Sequence, residues 1–232
     1  MSQTYARAGT SGATRSTTSG RSTASTRRLL ACGVVAGPLF VTTAAVQAVT
    51  RDGYDLTRHP ISMLSLGDLG WIQIANFVLT GLLSIAFAVG LRRVLHPGRA
   101  GTWGPVLLGV FGLGLILGGV FVTDPSLGFP AGAPEGMPTE VTWHSRVHDI
   151  APGLAVDGII VACLVFVRRF AGLRERGWQA YTASTATAVL ALTAWPSLDG
   201  ISVRLAVAVT LALAWTTALA LHLRRRLGRP SS

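Results

Sequence analysis

The sequence predicts an all-α fold, a polytopic transmembrane bundle of six helices. Three observations carry this reading. Half of the 232 residues are hydrophobic and only 13% are charged, against about 25% charged in an average soluble domain. Six apolar stretches recur, each near the length that crosses ~30 Å of hydrocarbon at 1.5 Å per residue. Arginine-rich and arginine-poor connections alternate between them.

The chain opens on residues 1–28, a Ser/Thr/Gly/Arg stretch with almost no large apolar side chain. Such a stretch buries too little surface to offset the entropy of ordering, so a disordered cytoplasmic tail is expected. The apolar spans are expected at 29–50, 71–91, 103–123, 150–167, 180–198 and 202–222, within one transmembrane domain over 29–222. The fifth is the weakest, rich in Ala and Thr and ending near Trp195-Pro196. Pro38 and Pro152 fall inside spans, where neighbouring helices can satisfy the freed carbonyls. An arginine-rich cytoplasmic C-terminus closes the chain at 223–232.

All twenty basic residues are arginine, a usage associated with GC-rich bacterial genomes. Sixteen lie in the tail, in the connections after spans two and four, and at the C-terminus. The other three connections share Arg51, Arg58, Arg146 and Arg204. The positive-inside rule then puts both termini in the cytoplasm of a cell whose inner membrane holds the protein. Trp71, Trp143 and Trp195 suit the outer interface, and Trp103 and Trp178 the inner one. The formal net charge of +10 does not indicate nucleic acid, because the charges sit between apolar segments and form no patch on a soluble fold. The expected partner is the lipid bilayer.

Arg27-Arg28 before an apolar run also resembles a secretion signal with a cleavage site near Val46-Gln47-Ala48. The run of about 20 apolar residues exceeds a usual signal core, so a retained first helix is expected. Cys32 and Cys163 both lie in apolar runs, and no disulfide is expected.

Candidate functional residues are polar groups in costly places. Asp157 is the only acid inside the spans, where a mid-bilayer carboxylate costs ~2.5–3.5 kcal/mol and usually turns to the bundle interior. It reads as a structural acid or as a proton or ion ligand. Gln73, Asn76, Thr80 and Ser84 share one face of helix two, and Thr43, Gln47 and Thr50 one face of helix one. These faces read as interhelical hydrogen-bonding glue or, more sharply, as a polar cavity open to the outside. Gly114-x-x-x-Gly118 permits close approach of a neighbouring helix.

Two outer loops hold the remaining candidates. The first, 51–70, contains His59-Pro60-Ile61-Ser62-Met63-Leu64-Ser65-Leu66, too apolar for a free loop. The second, 124–149, holds Asp124, Glu135, Glu140, His144, His148 and Asp149. His59, Ser62, Asp124, His148 and Asp149 are expected to form a polar, ligand-binding site on the outer face. If helix four begins early, His144 and His148 share a face and, with Asp124, could hold Zn²⁺ and a nucleophilic water. The favoured expectation is no cofactor, since H-x-x-x-H without an adjacent glutamate is a weak motif.

Gly37-Pro38-Leu39-Phe40, Tyr54-Asp55-x-x-x-His59-Pro60-Ile61-Ser62-x-Leu64-Ser65-x-Gly67, Trp71, Asn76-Phe77-x-x-x-Gly81 and Phe121-x-x-Asp124-Pro125 together resemble a bacterial six-helix family catalogued as domain of unknown function 998. The resemblance covers about residues 30–222. It implies six crossings, an undefined activity, and His59, Ser62, Asp124 and His148 as characteristic polar positions. A fainter resemblance to membrane hydrolases of the alkaline ceramidase type implies Ser, Asp and His around zinc. Three function classes follow: a small-molecule or ion-handling protein, a metal-dependent hydrolase acting on lipid at the outer face, and a structural or partner-binding subunit.

Overall fold

A computed structural model of the protein describes residues 13–228, with side chains over 23–228. It contains six long α-helices: α1 (Ala13–Thr50), α2 (Gly70–Leu95), α3 (Arg99–Val120), α4 (Trp143–Gly172), α5 (Arg176–Thr193) and α6 (Ile201–Leu227). A 3₁₀ turn, Ile61–Ser65, interrupts the first long connection, where the apolar run from His59 to Leu66 rules out a free loop. Five helices are long and apolar enough to cross a membrane. The exception is α5, whose Ala- and Thr-rich sequence carries the weakest apolar run.

Helix boundaries depart from the expected spans for local reasons. α1 begins at Ala13, inside the stretch expected to be a disordered tail. Extending a helix from an anchored apolar segment costs far less than starting one. The rest of that tail, 1–12, and residues 229–232 of the C-terminus lie outside the described residues. α4 starts at Trp143, well before residue 150, because the Thr142 side chain accepts from Ser145 N and caps it. α5 ends at Thr193, short of residue 198, because Pro196 disfavours helix in the residue before it.

The helices pack in chain order, and α6 returns against α1 to close a ring. In a membrane, lipid tails are as apolar as Leu, so this packing relies on close van der Waals contact and interhelical hydrogen bonds. Glycines supply the contact. A Cβ on Gly112 would lie 2.7 Å from Gly81 O on α2, and one on Gly114 would lie 2.8 Å from Ala151 O on α4. The small-residue stripe of α3 therefore serves packing inside the bundle.

Alternation of helix direction gathers Arg27, Arg28, Arg92, Arg93, Arg99, Arg168, Arg169, Arg174, Arg176 and Arg224–Arg226 at one end of the ring. We term this the arginine end. Here Glu175 receives a 2.6 Å ion pair from Arg226 and joins the start of α5 to the end of α6. The opposite, loop end carries the connections 51–69 and 121–142. Trp71, Trp103, Trp143 and Trp195 are exposed near helix ends, as belt residues require, whereas Trp178 packs inward against Phe170 and His222.

The two halves of the ring are filled differently. Towards the arginine end Phe87, Phe166 and Trp215 are fully buried. Phe166 and Trp215 meet edge-on at 5.6 Å, and the Trp215 indole donates to Thr182 Oγ1 at 3.1 Å. Towards the loop end the ring encloses a cavity.

Candidate functional site

The loop end is held by two polar clasps. In the first, His59 is buried between Tyr54 and Phe129, with ring centroids 5.5 and 5.4 Å away. Its Nδ1 accepts from Asp55 N at 2.9 Å, and its Nε2 lies 3.0 Å from Leu127 O. A backbone amide can only donate and a carbonyl can only accept, so the ring is the Nε2–H tautomer. Tyr54 Oη donates to His59 O at 2.8 Å. Burial, reinforced by the Asp55 charge, pushes the Tyr54 phenol well above its ordinary pKa. Asp55 is held below its ordinary value by hydrogen bonds from the Thr57 hydroxyl and amide.

Arg51 completes this clasp. Its guanidinium donates to Leu64 O at 3.1 Å and Leu66 O at 2.6 Å, satisfying carbonyls at the end of the 3₁₀ turn, and its Cζ lies 5.5 Å from the Phe129 ring centroid. Ser202 at the start of α6 donates to Arg58 O at 3.1 Å.

The second clasp is built by Asp124. Its two carboxylate oxygens accept from Thr142 N at 2.8 Å and Thr142 Oγ1 at 2.7 Å. A carboxylate at this helix start also meets the favourable end of the α4 dipole. Asp124 is thus occupied in capping α4.

His148 faces the cavity. Its Nδ1 lies 3.1 Å from Gly118 O and 2.8 Å from Phe121 O, carbonyls at the C-terminal end of α3. Both only accept, so Nδ1 carries the proton, and the ring satisfies helix-end carbonyls that have no intrahelical donor. Among the described residues Nε2 has no protein partner. The cavity, of about 120 Å³, is lined by all six helices and by Pro60, Ile61 and Ser62 of the first loop. Among the described residues Ser62 and His148 are its only polar side chains; the rest of the lining is Phe, Leu, Ile, Val, Ala, Gly and Pro.

The expected outer-face constellation is therefore divided. Ser62 and His148 share the cavity, while His59 and Asp124 serve the two clasps outside its lining. Asp149 is exposed. His144 is exposed and stacks on Trp143 at 3.6 Å. Although α4 does begin early, His144 and His148 go to different surroundings. Among the described residues no three His, Cys, Asp or Glu side chains gather as a metal-holding group, so Asp124, His144 and His148 form no ligand set.

The polar faces of α1 and α2 turn out as interhelical contacts. Gln47 Nε2 donates to Gln73 Oε1 at 2.8 Å and Asn76 Nδ2 to Phe40 O at 3.1 Å, whereas Ser84 Oγ donates back to Thr80 O of its own helix at 2.8 Å. None of these polar side chains lines the cavity. Asp157 was expected to turn inward. It is instead exposed on the outside of α4, because Ala155, Val156 and Ile159 occupy the inward face.

Residues 34–222 match the family described as a protein of unknown function, DUF998. The chain belongs to this family. The match spans all six helices and both clasps of the DUF998 protein. No curated protein and no solved structure matches the chain. Sequence reasoning missed Arg51, Phe129 and Leu127 in the first clasp, and it met Tyr54 only as part of the family resemblance, with no role. Arg51 carried a usable signal, since an arginine on the arginine-poor side invites the question of what holds it there.

Proposed function

We propose that this DUF998 protein binds the apolar chain of an amphiphile in the loop half of its bundle, with a small neutral headgroup at Ser62 and His148. The observation that carries this reading is the cavity lining, apolar throughout except for those two side chains. A buried water needs two to four polar partners, and an apolar cavity of about 150 Å³ stays dry and takes up a hydrocarbon. A void of similar size favours an apolar occupant for the same reason. His148 Nε2, with Nδ1–H committed to α3 carbonyls, presents a lone pair in the neutral ring. It suits a headgroup with a hydroxyl or amide donor.

Access from the bilayer supports a lipid-like ligand. α5 has 18 residues, about 27 Å of helix, and it contributes only Val189 to the cavity. On either side of it the lining includes Pro152 and Val156 of α4 and Leu205 and Val209 of α6. Pro152 is exposed and the other three are half-buried, which supports a lateral window to the bilayer here. A transport path is not favoured, since Asp157 faces away and the aromatic cluster around Trp215 fills the bundle below.

The same reading places six crossings in the cell inner membrane with both termini cytoplasmic. What supports α5 as a crossing is its neighbours: α4 finishes at the arginine end and α6 starts at the loop end, so residues 173–200 must traverse the bundle. The positive-inside rule supports the orientation.

Photolabelling tests the binding reading. A diazirine-bearing fatty alcohol, incubated with the purified protein and irradiated, should label peptides containing Ala155, Ile159 and Val209. Label confined to outward residues such as Leu82 and Val106 would refute it.

A further inference from the structure

Asp157 sits where a lone carboxyl is costly. It lies eight residues from Asp149 and eleven from Arg168, about 12 Å and about 16 Å along the helix axis. That is close to the middle of a ~30 Å hydrocarbon core. It is exposed, and the same outward stripe carries Ile150, Gly153, Val161 and Leu164, all exposed. Gly153, one turn away, has nothing within 4 Å of the position a Cβ would take. The stripe is thus an apolar face with an uncovered backbone and one mid-membrane acid beside it.

We propose that this face of α4 docks a second copy of the chain, across a two-fold axis parallel to the membrane normal. Two copies in one bilayer share orientation, so such an axis brings Asp157 level with Asp157 of the partner subunit. A carboxylic acid carries one O–H donor and one carbonyl acceptor, so two of them satisfy each other through reciprocal hydrogen bonds. Among the described residues the basic side chains within the expected apolar spans sit at the two ends of α6, Arg204 donating to Trp195 O and Ser197 O at the loop end and His222 beside Glu175 at the arginine end, so neither is level with Asp157 and the pairing is acid to acid. Gly153 lets the two backbones approach closely enough for it, as small residues do at transmembrane interfaces. The cavity-facing residues lie on the opposite side of α4, so this interface is independent of the ligand reading.

The test uses the full chain reconstituted into liposomes of defined lipid, with subunit association read by single-molecule photobleaching of a C-terminal dye. The wild type should be dimeric. Asp157→Leu should raise the dissociation constant at least about tenfold, and Asp157→Asn, which keeps a donor and an acceptor, should stay within about threefold. Gly153→Ile should weaken association as Asp157→Leu does, and it carries the test should the Leu variant fail to fold. On a Cys32→Ser background, Ile150→Cys should form an intermolecular disulfide that Leu82→Cys on α2 does not. A monomeric wild type would overturn the proposal and direct the acid to a different, basic helix. So would an Asp157→Leu dimer as tight as wild type, or crosslinking at Leu82 instead of Ile150.

Discussion

His59 and Leu127 are joined across 68 positions of chain by a contact of 3.0 Å between Nε2 and the carbonyl oxygen. This contact pins the second loop to the first, and the first loop roofs the cavity through Pro60, Ile61 and Ser62. His59→Ala removes the bonds to Asp55 N and Leu127 O, leaves Leu127 O only the Arg58 guanidinium at 3.3 Å, and empties the buried space between Tyr54 and Phe129. Each lost hydrogen bond is worth ~0.5–1.5 kcal/mol, so we predict a loss of about 1–3 kcal/mol and faster proteolysis within 121–142. A change below about 0.5 kcal/mol in chemical denaturation would mean that the clasp does not hold the roof.

Asp124 and Thr142 form a capping pair. Thr142→Ala should cost about 1 kcal/mol as a lost cap, and Asp124→Asn a similar amount through the weaker acceptor and the lost dipole interaction. Because both carboxylate oxygens are taken by Thr142, a chelator should leave the Tm of wild type unchanged. A Tm drop on chelation, restored by Zn²⁺, would reinstate a metal role for Asp124.

Much of this architecture was legible in the sequence. Apolar run lengths located the helices, and arginine alternation placed their ends on common sides. The pairing of the two loops through His59 was not legible, because a histidine's partner depends on which carbonyl the fold brings near. His148 was singled out for the right loop, but its role came from its place on an early turn of α4 facing α3. Asp157 shows the limit most clearly. Insertion energetics say that a mid-membrane acid needs a partner, but not whether the partner lies inside the bundle or beyond it.

Tyr54 gives the fold an alkaline edge. Its phenol is raised by burial, so folding favours the neutral form. That stability is fully present below the ordinary tyrosine pKa of about 10 and is lost as pH rises above it towards the folded value. Wild-type Tm should fall above about pH 10. Tyr54→Phe should start lower at neutral pH, by about 1 kcal/mol for the lost bond to His59 O, and show a flatter alkaline limb. Parallel limbs for the two proteins would remove Tyr54 from this account.

The central claim is that the cavity holds an amphiphile, and native mass spectrometry of the protein released from nanodiscs tests it most directly. Val156→Trp and Val209→Trp put bulk into the lateral window, and His148→Ala removes the polar end without closing it. Wild type should retain a bound amphiphile, each Trp variant should lose it, and His148→Ala should bind it at least about tenfold more weakly, the scale of one lost hydrogen bond. Retention in both Trp variants equal to that of wild type, or no bound amphiphile on wild type in any lipid supplied, would contradict the claim.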